Sequence, residues 1–196
     1  MSIKKLDKVK SDAIIESVKC SQRSFITTKE VIDMDRRKER EKRLNLEEKK
    51  GGFRCCNCGQ WVPFSEFIGT KHRNHCPFCL WSKHVDLKKS GDRKAECQAR
   101  MKPIGLTFKH EGIDKYGKIK QGEIMLIHEC TNCGKISINR IAGDDNAEMI
   151  LRVFEESQRL PPEKRSQLEH SDIEVLSEEK REEILTQLFG KDIRNI

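Results

Sequence analysis

Three cysteine turns constrain this chain more than any other feature. Cys55-x-x-Cys58, Cys76-x-x-Cys79 and Cys130-x-x-Cys133 fall within about eighty residues. A C-x-x-C turn lets two thiolates grip one metal ion from the same side. A glycine follows the first and third turns (Gly59, Gly134), and the apolar Leu80 follows the second. The first two turns read C-x2-C-x17-C-x2-C, a spacing that suits a zinc ribbon or treble clef. Six thiolates in this pattern specify a zinc-built domain rather than a secreted disulfide framework.

The ligand arithmetic extends the pattern. Structural zinc takes four ligands. Cys97 is a seventh thiolate, so seven cysteines and one histidine fill two sites. The expected first site is Cys55, Cys58, Cys76 and Cys79. The expected second site is Cys97, Cys130, Cys133 and a histidine. His84, a loop's length before Cys97, is the favoured eighth ligand, with His128 as the alternative. His75 abuts Cys76 and is expected to point away from the first ion. His72, His110 and His170 read as ordinary imidazoles. Cys20 and Cys56 are left over, Cys56 being able to replace Cys55 only through an irregular C-x-C grip.

Composition fits a small metal core carrying polar extensions. Hydrophobic residues make up 35% of the 196 and charged residues 36%, too polar for one large core. The N-terminus lacks the apolar stretch of a secretory signal, and no apolar run is long enough for a bilayer. With reduced, metal-binding cysteines, this places the expected location in the cytoplasm, with no membrane partner. The net charge of +7 is unevenly spread: residues 1–50 carry +5, 51–143 carry +8 and 144–196 carry −6. Two loaded zinc sites would lower the centre to about +5, since a four-thiolate site is −2 and a three-thiolate, one-imidazole site is −1.

Residues 1–50 read as a charged helical or disordered arm. Leu6, Val9, Ala13, Ile14 and Val18 form a short apolar stripe, and Thr27 with Glu30 offers a capping box. Gly51-Gly52 marks a boundary. Residues 51–143 read as the zinc domain, with Trp61, Val62, Phe64, Phe67 and Ile68 as apolar cover. Its expected strands are Ile104 to Phe108, Glu123 to Cys130, and a third through Ile136 and Ile138. Residues 144–196 read as an acidic helical extension. A second capping box is expected at residues 145–148, a helix through Ile150, Leu151 and Phe154, and a stop at Pro161-Pro162. A last helix through Ile184, Leu185, Leu188 and Phe189 is expected to end at Gly190. The expected fold is therefore small α+β, with a two-zinc, zinc-ribbon or treble-clef-like β-rich core, a charged N-terminal arm and C-terminal helices.

The residues quoted so far resemble the RNHCP domain family. The resemblance runs over roughly 53–145 through Phe53-x-Cys55-x-x-Cys58, Arg73-Asn74-His75-Cys76-Pro77-x-Cys79-Leu80-x-Ser82-x-His84-Val85-Asp86, Gly91-Asp92-Arg93, Cys97, Met101-x-Pro103-Ile104, His128-x-Cys130-x-x-Cys133-Gly134 and Asn139-Arg140. Ser90 departs from it, standing where the family often has proline. The family name describes a motif and implies no catalytic role.

The function expected from these features is binding. A basic zinc scaffold with planar side chains suits RNA or the ribosome. Arg73, Lys83, Arg93 and Arg140 are candidate phosphate contacts, Trp61 and Trp81 candidate stacking platforms, and Asn74 and Asn139 candidate readers of base edges. The alternative is a protein-interaction adaptor working through residues 1–50 or 144–196 with purely structural zinc. An enzyme is not expected: both sites are filled, and the chain has no Gly-rich phosphate loop, no nucleophile elbow and no H-E-x-x-H.

Overall fold

The computed structural model describes residues 27–64, 73–89, 91–112, 115–117 and 122–190. The stripe from Leu6 to Val18, Cys20, Phe67, Ile68, His72 and Ser90 lie outside the described residues. The chain divides into two compact units, Met1–Asn45 and Leu46–Ile196.

In the first unit the described structure is helix α1, Thr28–Lys49, which runs on into the second. The Thr27 hydroxyl accepts from the Glu30 amide at 3.3 Å, and the Glu30 carboxylate accepts from the Thr27 amide at 2.7 Å. This reciprocal pair closes the first turn as the sequence predicts. Beyond it the helix is almost all charge, and Val31, Ile32, Met34 and Leu46 stand exposed on it.

In the second unit, strands β1 (Gly52–Arg54) and β2 (Trp61–Pro63) form a small antiparallel hairpin around the first cysteine turn. A second, curled antiparallel sheet has the order β3-β4-β5-β6. Its strands are β3 (Ser82–Lys83), β4 (Arg100–Phe108), β5 (Ile124–Cys130) and β6 (Ile136–Arg140). β4 begins earlier than the pattern predicts. A register shift between Pro103 and Gly105 lets the strand tolerate a proline, which cannot donate to a ladder.

Helix α2 (Ala147–Ser157) starts at Asn146, whose side chain accepts from the Met149 amide at 2.9 Å. The sequence places a capping box here, and the cap is Asn146 because Asp145 is engaged elsewhere. Ile150, Val153 and Phe154 then lie on one buried face. Pro162 begins helix α3 (Pro162–Glu169). Proline lacks a donor that the first helical residue does not need, so the Pro-Pro pair separates two helices rather than only ending one. A 3-10 turn, Glu178–Lys180, leads into helix α4 (Arg181–Phe189), capped by Gly190 at φ +86°.

These helices bury their apolar faces in the core of this unit. Ile150, Val153 and Phe154 of α2, Leu176, and Ile184 of α4 share one core with Leu80, Leu106, Ile124 and Leu126. A second cluster joins Ile127 and Ile104 to Leu168 of α3. β5 is consequently buried along nearly all its length, and its alternating sequence does not yield an exposed face. Among the described residues no helix is long and apolar enough to cross a membrane.

Candidate metal centres

The three cysteine turns share one backbone pattern. The first cysteine of each donates its amide to the carbonyl five residues on: Cys55 to Gln60, Cys76 to Trp81 and Cys130 to Lys135, at 2.8–2.9 Å. Its carbonyl accepts from the amide four residues on, at Gly59, Leu80 and Gly134. Those three residues have positive φ, at +75°, +59° and +70°. Glycine enters this region freely, whereas leucine is disfavoured there. Leu80 is held by its complete burial in the main core.

The turns assemble two tetrads, Cys55, Cys58, Cys76 and Cys79, and His84, Cys97, Cys130 and Cys133, with the four donor atoms of each all within 4.8 Å of one another. The Sγ atoms of Cys55 and Cys79, of Cys58 and Cys76, and of Cys97 and Cys130 are each 3.6 Å apart. His84 Nδ1 lies 3.4 Å from Cys133 Sγ. These separations exceed the S–S bond of about 2.05 Å. They match the edges of a metal tetrahedron: Zn–S of about 2.3 Å and Zn–N of about 2.0–2.1 Å imply edges of about 3.8 Å and 3.6 Å. The donors therefore fit two four-coordinate ions and are consistent with zinc. The structure brings together the eight residues named from the sequence and places His84, not His128, at the second tetrad. Cys56 stands outside, its thiol donating to the Ser82 carbonyl at 3.3 Å and pushed up in pKa by burial.

As bare thiols the ligands are unequally acidic. Burial pushes Cys76 upward and Cys79 up to about 11. Burial also opposes ionisation of Cys97, but the Asn132 amide, the Ala99 N–H and His84 together bring it down to about 6. A bound cation would deprotonate all the thiols, with proton release. N–H donors already face the sulfurs: the Asn57 amide meets Cys55 at 3.4 Å and the Asn132 side chain meets Cys97 at 3.5 Å. Such contacts orient and tune metal thiolates.

The residues before Cys76 act inside the molecule. Arg73 is 1% exposed on its side chain. Its guanidinium donates to both oxygens of Asp144, by Nη1 at 2.7 Å and by Nη2, and to Asp145 at 2.9 Å. The Arg73 guanidinium holds the Asp144 carboxyl below the usual carboxylate range. Asp145 is fully buried on its side chain and also meets His75 Nε2 at 2.9 Å and the Ala142 amide at 2.8 Å. One carboxylate thus ties the arginine and histidine of the motif to the start of α2. Asn74 donates to Asp86 at 2.7 Å and accepts from the Arg93 guanidinium. His128 is buried; its Nε2–H donates to the Leu80 carbonyl at 2.7 Å, and its Nδ1 accepts from the Asn139 amide at 2.9 Å. Burial draws its pKa down to about 4, against the opposing effect of the Leu80 carbonyl. The ring is neutral and its tautomer is fixed.

These contacts bear on the residues expected to form a nucleic-acid surface. Arg73, Asn74, Arg93 and Asn139 each bond an internal partner; Arg73 is out of reach of solvent, and the other three are half-buried. Arg140 is exposed and pairs with Glu123 at 3.1 Å. Trp61 is 39% exposed on β2. Trp81 is half-buried with the Arg100 guanidinium 5.8 Å from its ring centre, and Lys83 of β3 is the cross-strand partner of Arg100. The internal network escaped sequence reading because Asp144 and Asp145 lie seventy residues beyond Arg73. The adjacent acid pair, next to a helix start, was the one available signal.

Two complete Cys/His tetrads on knuckle-like turns, set in a curled sheet, define a metal-binding module of the small α+β kind. The family model described as "RNHCP domain" matches residues 50–151, just over half of the chain, and the chain belongs to that family. No curated protein and no solved structure matches it.

Proposed function

We propose that this chain is a zinc-stabilised binding module that acts on RNA, free or in the ribosome, in the cytoplasm. The completeness of the two tetrads carries the reading. Each offers four protein donors, whereas catalytic zinc usually has three and an open position for water or substrate. The metals, assigned here as zinc from donor type and spacing, hold a scaffold and do no chemistry. The part of the surface that suits RNA is Trp81 with Arg100 and Lys83, together with exposed Trp61 and its cross-strand neighbour Arg54. An arginine over an indole beside further cations offers a stacking platform and phosphate partners.

The test is RNA titration of the zinc-loaded chain, single-stranded and structured, at two salt concentrations. Affinity should fall with salt, and Arg100→Ala should reduce the log–log salt slope by about 1. Trp81→Ala should weaken binding by about 1–3 kcal/mol per base stacked on it. Salt-independent binding, or none, refutes the reading. An adaptor working through residues 1–50, where α1 exposes Val31, Ile32 and Met34, or through residues 144–196 is the second reading. Helices α2, α3 and α4 bury one face in the core of their own unit and leave the other exposed. Capture of a protein that survives nuclease treatment and is lost on removing residues 1–45 would favour it.

A further inference from the structure

Residues of β3, β4 and β6 line one cavity of about 240 Å³. Ser82, His84, Ser137 and Asn139 line it, and Lys88, Lys89 and Lys135 also contribute to the wall. The cavity adjoins the second tetrad through His84, which presents Nδ1 to the metal position. A neutral imidazole bound to metal at Nδ1 carries its proton on Nε2. That Nε2 is buried and has no hydrogen-bond partner. A metal-bound histidine almost always donates its second N–H to a carboxylate, a carbonyl or water. Among the described residues no protein acceptor serves His84.

The surrounding groups show what kind of acceptor fits. Asp86 also lines the cavity, but its oxygens are taken by Asn74 at 2.7 Å and by the amides of Gly91 and Arg93 at 2.8 Å and 3.0 Å. It does not serve His84. Lys135 donates to the carbonyls of Asp86 and Leu87, which anchors its charge at the wall. The Asp92 carboxylate accepts from the amides of Leu87, Lys88 and Lys89 at 2.8–3.0 Å. This fixes the backbone that carries the two remaining lysines. Three lysines and a histidine whose second ring nitrogen is buried and unpartnered line a space far larger than one water requires. Met101, Ile136 and Ile138 complete the wall with apolar surface, giving room for a short carbon skeleton.

We propose that this cavity binds a small phosphate-type oxyanion. One oxygen accepts from His84 Nε2–H, the Ser137 hydroxyl donates to another, and Lys88, Lys89 and Lys135 balance the charge. The proposal is independent of the RNA reading, whose surface lies on Trp61, Trp81 and Arg100.

The experiment uses the metal-loaded full chain with nitrogen-15 in its histidines. Imidazole N–H signals are followed by NMR while inorganic phosphate is added, with sodium chloride at matched ionic strength as reference. The expected result is a saturable shift of the His84 Nε2–H signal with phosphate and none with chloride. Lys88→Ala/Lys89→Ala, which alters only exposed side chains, should weaken the phosphate midpoint by about tenfold, a double loss of modest charge contacts. Adenosine monophosphate in place of phosphate identifies the source. A tighter midpoint means that the phosphate belongs to a nucleotide, and an equal or weaker one means the free anion. No saturable shift, a shift shared with chloride, or a phosphate midpoint unchanged in the double lysine variant overturns the proposal.

Discussion

Replacing Arg73 with alanine tests whether the leading residue of the motif is structural. Its guanidinium is 1% exposed and makes three charge-assisted hydrogen bonds to two carboxylates. Breaking a buried pair by removing one partner costs about 3–5 kcal/mol. Two features push toward the lower end. Asp144 is 39% exposed and regains water, and Asp145 keeps the His75 and Ala142 donors. We therefore expect a loss of about 3 kcal/mol, which in a chain of this size lowers Tm by about 6–12 °C. Arg73→Lys keeps the charge, but one nitrogen cannot span both carboxylates, so the loss should be about half as large. The assay is thermal and urea unfolding at fixed free zinc, with Asp144→Ala as the second arm of a double-mutant cycle. Coupling of about 1–3 kcal/mol is expected. An Arg73→Ala protein within about 0.5 kcal/mol of the parent, with weakened RNA binding, would refute the buried role and restore a phosphate contact.

Other predictions follow from the sites and turns. Metal analysis of the native chain should find two ions. Cys76→Ser should leave one, and affinity at both sites should fall as pH drops, because protons compete for the thiolates. Chelation should abolish the native near-UV spectrum, and a spectrum that survives it would contradict the scaffold role. His128 is neutral when folded down to about pH 4, whereas its ordinary value is 6.5. The unfolded chain therefore takes up a proton first as pH falls, and stability should drop by about 3 kcal/mol from pH 6.5 to 4. NMR should show its Nε2–H tautomer persisting to about pH 4. A Cβ at Gly122 would lie 1.7 Å from the Lys109 carbonyl oxygen. Gly122→Ala should cost several kcal/mol by opening the β4–β5 hairpin, while Gly134→Ala, with open space around it, should cost about 1 kcal/mol from backbone alone. Urea midpoints compare the two.

The legible parts of the site were those whose geometry is local. A C-x-x-C turn carries its ligand geometry in four residues, so six donors could be named from spacing. Cys97 and the need for one histidine followed from completing a second set of four, but the choice of His84 over His128 did not, because it depends on how a loop folds back. Strands β5 and β6 and the caps at Thr27 and Gly190 were legible for the same reason. The roles of Arg73, Asn74 and His75 were not, because a cation near a zinc turn looks alike whether it faces solvent or a distant carboxylate. The amphipathic pattern of α2 showed that it had a buried face but not that the sheet would cover it. The cavity lined from β3, β4 and β6 joins residues up to sixty-five positions apart, which no local pattern encodes.

The position of Asp145 bears on how the molecule could be cut. A fragment ending where the cysteine pattern ends would retain every donor atom for both ions. It would lack the carboxylate that clasps Arg73 and His75, and the helices that seal the sheet. Chelating capacity and autonomous folding therefore have different C-terminal limits in this chain, the second lying several dozen residues beyond the first.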